Sequence, residues 1–332
     1  METSIQRPKA LVLLSGGLDS LLATRIILDQ DVDVEAVHFI TPFYKGDCDS
    51  VSRFSRDFGI KLHVVFLGQE FLDIVANPPH GYGSQMNPCI DCRILMFRKA
   101  KELANKIGAS FLVTGEVLDE RPFSQRLRAM QLIEREAGLE GKILRPLSAK
   151  LLPPTEAERM GWVNREKLLA IRGKRRTPQI KLAAKYGIKN YPTPSGGCLL
   201  NDPAFARRVR DHLEHEGRLT LKDAILLMIG RHFRINGVKI IVGRNMDENN
   251  RLLAIAEQNQ IPYLVVKEYK GPITLIMGET NPNIIEKAAA ITVRYSDAPK
   301  NIPVNVLYRR KNGESEVTAI ALNDEQINRL RI

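Results

Sequence analysis

Cys89 and Cys92 stand three positions apart in NPCIDC (87–92), and a third thiol, Cys198, sits far away in PSGGCLL (194–200). Only Cys48 completes the set, and four cysteines in 332 residues are too few for a disulfide scaffold. PCIDC lies just before an amphipathic stretch, so the first turn of a helix would aim both thiols into one place, where the helix N-terminus favours thiolate. Gly196 and Gly197 let the chain carrying Cys198 pass close to a shared centre. Such a set is a metal clip, a redox pair or a group of packing thiols, and the cysteines alone do not choose. Asp91, between the pair, and Asp119 are candidate acid–base groups, equally well read as surface carboxylates. His80, in NPPHGYGSQ, belongs either to a flap over the cysteines or to an ordinary loop.

The second constellation is LVLLSGGLDSLLA (11–23). Gly16 and Gly17 allow a sharp turn and a close approach to an anion with no Cβ in the way. The free N–H groups of a helix starting near Asp19, with the Ser15 and Ser20 hydroxyls, make a cradle of pyrophosphate size. The string is neither GxxxxGK(S/T) nor GxGxxG. A plain strand-to-helix turn with Asp19 as a cap is the structural alternative.

These residues need a scaffold. Between 9 and about 150, strand-like runs alternate with helical stretches: KALVLL (9–14), a helix over 19–30, VEAVHFI (34–40), a helix near 50–58, KLHVVFL (61–67), a helix over about 90–107 and SFLVTGE (110–116). That alternation predicts an α/β domain over 1–150, a parallel sheet with helices on both faces that binds ligands at the carboxyl ends of its strands. Residues 151–225 read as a helical connector carrying the third cysteine, with a basic helix near 177–186, a Pro/Gly-rich loop at 191–203 and a helix in 218–230. From 226 to 332, RINGVKIIVG, PYLVVKEY, PITLIMG, ITVRYS, VNVLYRR and EVTAI predict strands of a small α+β domain, with ING and NGE as turns.

Bulk properties narrow the partners. The chain is 44% hydrophobic and 26% charged, with no apolar run approaching the ~20 residues of a membrane span and no signal-peptide grammar, so a cytoplasmic protein is expected. Net charge is +11, concentrated in 93–106, 172–185 and 207–210. Any one patch is a solvated helix face; several together point to a polyanion.

SGGLDS matches the PP-loop signature SGGxDS, and the chain resembles the ATP-pyrophosphatase superfamily, whose members activate a carbonyl or carboxylate by adenylation. The resemblance implies ATP with Mg²⁺, pyrophosphate bound by Ser15, Gly16, Gly17, Asp19 and Ser20, and adenosine met around His38 and Phe39. FLVTGEVLDERPFSQ (111–125) is similar to the TGE-x-L-x-Q-x-x-SQ segment of tRNA 4-thiouridine synthetases: Thr114, Gly115, Glu116, Ser124 and Gln125 match, and ILRPL (143–147) fits the segment that follows. Glu120 departs, standing at about the place of the first glutamine. Cys-x-x-Cys with one distant cysteine resembles iron–sulfur-dependent tRNA thiolation enzymes, in which three cysteines hold a [4Fe-4S] cluster with one iron open. Soft thiolates with no fixed fourth ligand suit that reading. A persulfide pair of Cys92 and Cys198, as in wobble 2-thiouridylases, ranks second, and zinc completed by Cys48 third. GVKIIVGRNMDENNRLLAIA (237–256) resembles the VGRN-x-x-x-N segment of the NFACT RNA-binding domain through Arg244, Asn245 and Asn249. Together these imply a tRNA sulfurtransferase. No THUMP-type segment precedes the loop and no rhodanese-like domain follows in this sequence, so sulfur is expected from a cysteine desulfurase or inorganic sulfide.

Overall fold

After Lys9, ALVL is apolar without interruption, as a strand covered on both faces must be, and KALVL forms the central strand of the first sheet. The computed structural model describes residues 7–189, 191, 197–311 and 313–332. The chain divides into two units, Met1–Asp202 and Pro203–Ile332.

The first unit runs β1 (Lys9–Leu13), α1 (Leu18–Leu28), β2 (Asp33–Ile40), α2 (Cys48–Asp57), β3 (Lys61–Phe66), α3 (Gln69–Ala76), α4 (Cys89–Ile107), β4 (Phe111–Thr114), α5 (Leu127–Ala137), β5 (Ile143–Leu144), α6 (Glu156–Arg159) and α7 (Thr177–Lys185). Its five strands are all parallel, in the order β3-β2-β1-β4-β5. Connections leave β1 towards β2 on one side and reach β4 on the other, so the strand order reverses between β1 and β4. Crevices for ligands open at such a reversal, and Leu13 pairs with Thr114 there. The loops SGG and GE therefore emerge side by side.

Ala10 and Val12 share a core with Leu18, Leu22, Ala23, Ile26 and Ile27 of α1. Strand alternation sends Leu11 and Leu13 to the other face, and α4 packs on β1 and β4. Val163, Leu168 and Ala183 join the α1 core, and Trp162 stacks on Phe111 with centroids 6.0 Å apart. The first part of the expected connector is thus built into the first unit.

The second unit begins with the rest of that stretch: α8 (Pro203–Glu216) and α9 (Leu221–Met228). Then follow β6 (Arg231–Ile235), β7 (Val238–Val242), α10 (Met246–Asn259), β8 (Tyr263–Val266), β9 (Thr274–Met277), α11 (Pro282–Arg294), β10 (Val304–Arg310), β11 (Gly313–Ala319) and α12 (Asp324–Leu330). The sheet is antiparallel, in the order β11-β10-β8-β9-β7-β6. Asn236 and Gly237, at φ 47° and 84°, make the expected ING hairpin turn. ITVRYS is not a strand. Ile291–Arg294 close α11, where Thr292 Oγ1 donates to Ala288 O at 2.8 Å and the β-branched side chains pack on the sheet. Packing has overridden local β-propensity. Among the described residues no helix is long and apolar enough to cross a membrane.

Candidate functional site

The loop after β1 is shaped by its glycines. Gly16 holds φ +80° with Val51 close behind it, and Gly17 caps α1 in extended geometry with no side-chain cap. The N–H groups at the head of α1 can serve a ligand, although that of Ser20 donates to Gly17 O at 3.1 Å. Ser15 Oγ lies 3.2 Å from Ser20 Oγ, which donates to Gly17 O at 2.8 Å. Both hydroxyls face the turn, as the motif requires. Gly115 seats this loop from the β4 side: a Cβ there would lie 2.4 Å from both Asp19 C and Ser20 N. Only a residue without a side chain lets the two loops meet.

Asp19 is held from far along the chain. Arg176, just before α7, donates an Nη2 hydrogen bond to Asp19 Oδ2 at 3.0 Å, and its Nε lies 4.0 Å from Glu120. Asp19 Oδ1 and Arg176 Nε are buried without a hydrogen-bond partner. Burial, reinforced by the Asp19 charge, pushes the Glu120 carboxyl upward. The orphaned Asp19 oxygen beside a phosphate-sized cradle fits a hard cation such as Mg²⁺, which takes one or two carboxylates and keeps its remaining ligands as water or phosphate.

His38 ends β2 beside the loop, with Nδ1 donating to Leu14 O at 2.9 Å; its Nε2 is buried without a partner, and burial lowers its pKa. Phe39 points to the opposite face, so of the two residues expected near adenosine only His38 borders the loop. Gln125 is buried, and its Oε1 accepts from Arg121 N at 3.0 Å, closing the 119–125 turn. Glu116, matched by the TGE segment, belongs to a buried ion-pair chain. Arg145 of the RPL segment donates to it at 3.0 Å and also binds Glu134.

The cysteines come from three elements. Cys89 and Cys92 occupy the first turn of α4 as expected, and Cys198 lies against the segment after β2, bridged to Tyr44 and flanked by Leu199 N donating to Phe43 O at 3.0 Å. All are free thiols; Cys48 is exposed at the start of α2. Burial pushes Cys92 up to about 12, and the Cys198 and Cys89 charges add to the rise. Burial also pushes Cys198 up to about 11, with Cys89 adding and Arg121 opposing. For Cys92, burial outweighs the helix N-terminus expected to favour thiolate. Asn87 Nδ2 donates to Cys89 Sγ at 3.2 Å. Thiolates as a class suit a soft metal centre. Among the described residues no three His, Cys, Asp or Glu side chains are arranged around a single ion; residues 192–196, next to Cys198, lie outside them.

Asp91 is 5% exposed and both its oxygens accept from His80, Oδ1 from Nδ1 at 2.7 Å and Oδ2 from the backbone N at 3.1 Å. His80 Nε2 reaches Glu136 at 3.0 Å, and the Asp91 hydrogen bond raises the histidine pKa. In this structure Asp91 ties the 77–88 loop to α4, a role that spacing did not reveal. Much of the basic patch on α4 is also spent internally: Arg98 donates to Glu136 O and Lys101 to Gly138 O.

In the second unit the VGRN segment is architectural. Asn245 caps α10 through Glu248 N, Arg244 pairs with Glu248, and Asn249 Oδ1 accepts from Ile273 N at 3.0 Å.

A parallel sheet with the SGGLDS loop at its reversal point has the arrangement of a PP-loop domain. Residues 6–150 match the family described as thiamine biosynthesis protein (ThiI), and residues 230–331 match the NFACT protein RNA binding domain. The chain is thus similar to the ThiI family over its first part and to the NFACT RNA binding domain over its second. It is 32% identical over 148 residues to the probable tRNA sulfurtransferase of Caldanaerobacter subterraneus subsp. tengcongensis, covering 42% of this chain and 36% of that protein. It is 36% identical over 117 residues to the tRNA-specific 2-thiouridylase MnmA of Syntrophotalea carbinolica, covering 32% of this chain and 33% of the relative. A 4-thiouridine synthetase solved with RNA and bound ATP is similar at 23% identity and a TM-score of 0.36, over 66% of this chain and 52% of that one. The chain spans about a third of the length of the curated relatives it matches.

Proposed function

We propose that this protein is an ATP-dependent tRNA sulfurtransferase. The observation that carries the reading is the glycine loop at the sheet's reversal point, seated against the TGE segment through Gly115, in a unit that also carries Cys89 and Cys92 on the first turn of α4. The matches to a ThiI-type domain and to an RNA-binding domain support tRNA as the substrate.

Ser15, Gly16, Gly17 and Ser20 bind the pyrophosphate moiety of ATP, Asp19 faces its Mg²⁺, and His38 borders the adenosine. Held there, the α-phosphate is attacked by a uridine carbonyl oxygen. The C–O–P bond forms, the bond to the β-phosphate breaks, and pyrophosphate leaves. Sulfide, supplied as such or released from a desulfurase persulfide by an external thiol reductant that is oxidised to disulfide, then attacks the same carbon. The C–S bond forms, the C–O bond breaks, the oxygen departs with AMP, and the sulfur proton passes to solvent. The protein's task is to orient the reactants and exclude water, which would return the oxo base. Cys89, Cys92 and Cys198 would hold a [4Fe-4S] cluster, which when bound supplies one iron free of protein ligand for sulfide. Asp91 positions the turn that carries the first two cysteines. A second reading, the persulfide pair of Cys92 and Cys198, needs no metal.

Purified anaerobically and supplied with tRNA, ATP and labelled sulfide, the protein is expected to form AMP, pyrophosphate and thiolated tRNA in equal amounts. AMP formation that does not depend on tRNA, with no label in RNA, overturns the proposal. Acid-labile sulfide and bound iron separate the cluster from the persulfide reading.

A further inference from the structure

We propose that Arg176 is the phosphate-responsive group of the nucleotide site: it neutralises Asp19 when no nucleotide is present and turns to the outer phosphates when ATP enters. This rests on reading the 15–20 loop as the pyrophosphate cradle. Arg176 lies beyond residues 6–150, so the domain match that covers the loop assigns it nothing.

Its contact with Asp19 is half made. An arginine that ties two elements together frequently presents a two-pronged fork to a carboxylate. Here one Nη2 bond of 3.0 Å reaches Oδ2, while Arg176 Nε and Asp19 Oδ1 are both buried and unpartnered. A donor and an acceptor are thus left unspent at the mouth of an anion cradle. A phosphate oxygen would satisfy the first and a divalent cation the second. Glu120, 4.0 Å from Nε, makes Arg176 the cation between two carboxylates, so a negative ligand arriving there must draw that cation towards itself.

Asp19 is clamped, because Gly115 packs directly on its backbone. Arg176 stands just before α7, with its side chain 15% exposed. Three residues on, on the same face of α7, Gln179 is 0% exposed with both amide atoms unpartnered. This face of α7 therefore holds further hydrogen-bonding capacity that nothing in the resting arrangement uses.

The test is calorimetric binding of ATP, pyrophosphate and AMP to the full chain, for wild type, R176A and R176K, with melting curves alongside. R176A is expected to weaken ATP and pyrophosphate by roughly 10- to 100-fold, the range for charge-assisted hydrogen bonds, and to leave AMP within about twofold; R176K recovers part of the loss. Should R176A melt far below the wild type, R176Q supplies the same comparison. Equal affinities in wild type and variant, or an equal loss for AMP and pyrophosphate, overturn the inference. A wild type that binds neither ATP nor pyrophosphate overturns instead the reading of the loop.

Discussion

Replacing Gly115 by alanine should damage the nucleotide site without removing any side chain assigned to nucleotide. The added Cβ would stand 2.4 Å from Asp19 C, 2.4 Å from Ser20 N and 2.5 Å from Asp19 O. Ordinary contact between such atoms is about 3.5–4 Å, so the two loops must part by roughly 1 Å. Both sides are backbone, one following β4 and the other opening α1, so no side chain can swing away. Overpacking of this kind costs about 1–3 kcal/mol. At ~2–4 °C per kcal/mol for a unit of this size, melting should fall by about 2–12 °C. A 1 Å misplacement of positioning groups costs on the order of 100-fold in turnover. Gly108→Ala is the control. Gly108 holds φ +71° with nothing within 4 Å of its Cβ position, so alanine there suffers left-handed strain of ~1–2 kcal/mol far from the loop. The assays are thermal denaturation and ATP titration of both variants. Similar melting losses with ATP affinity lost only in G115A support the packing argument. Wild-type melting and affinity in G115A refute it.

The remaining predictions concern the thiols, a buried histidine and the second unit. C89A, C92A and C198A should each abolish thiolation and lower anaerobic iron content while ATP affinity stays at the wild-type level; exposed Cys48→Ala should change neither. His232 is 1% exposed, donates Nε2 to Ile229 O at 2.8 Å, and has its pKa held well below the ordinary value by burial and by Lys239 and Arg208. Its unfolded form therefore takes up the proton first, and stability is lost as pH falls below ~6.5, by up to ~1.4 kcal/mol per pH unit. Urea unfolding at pH 7.5 and 5.5 should show this loss, and H232Q should reduce it. G243A would place a Cβ 2.0 Å from Asn249 Oδ1, breaking its bond to Ile273 N; melting of the second unit should fall by an amount corresponding to about 1–3 kcal/mol.

What could be read from the residues was local and periodic. The unbroken apolar run of β1, the glycines after it and the first turn at Cys89 all carry their structure within a few positions. ITVRYS misled because β-branched residues are helical there only through their packing in the second unit. Asp91 looked like a free carboxylate because its partner, His80, lies 11 positions away across a loop. The bond between Asp19 and Arg176 spans 157 positions, and no local pattern predicts it. In RGKRRTPQIK it is hidden among other cations. The orphaned amide of Gln179 is likewise a property of packing alone.

The central claim is that this protein puts sulfur into tRNA. Its most direct test is mass spectrometry of the nucleosides of total tRNA from a strain lacking the gene, beside the parent and a complemented strain. The account predicts that one thionucleoside disappears and returns with the wild-type gene but not with one encoding C198A. An unchanged thionucleoside profile in the deletion strain would contradict it.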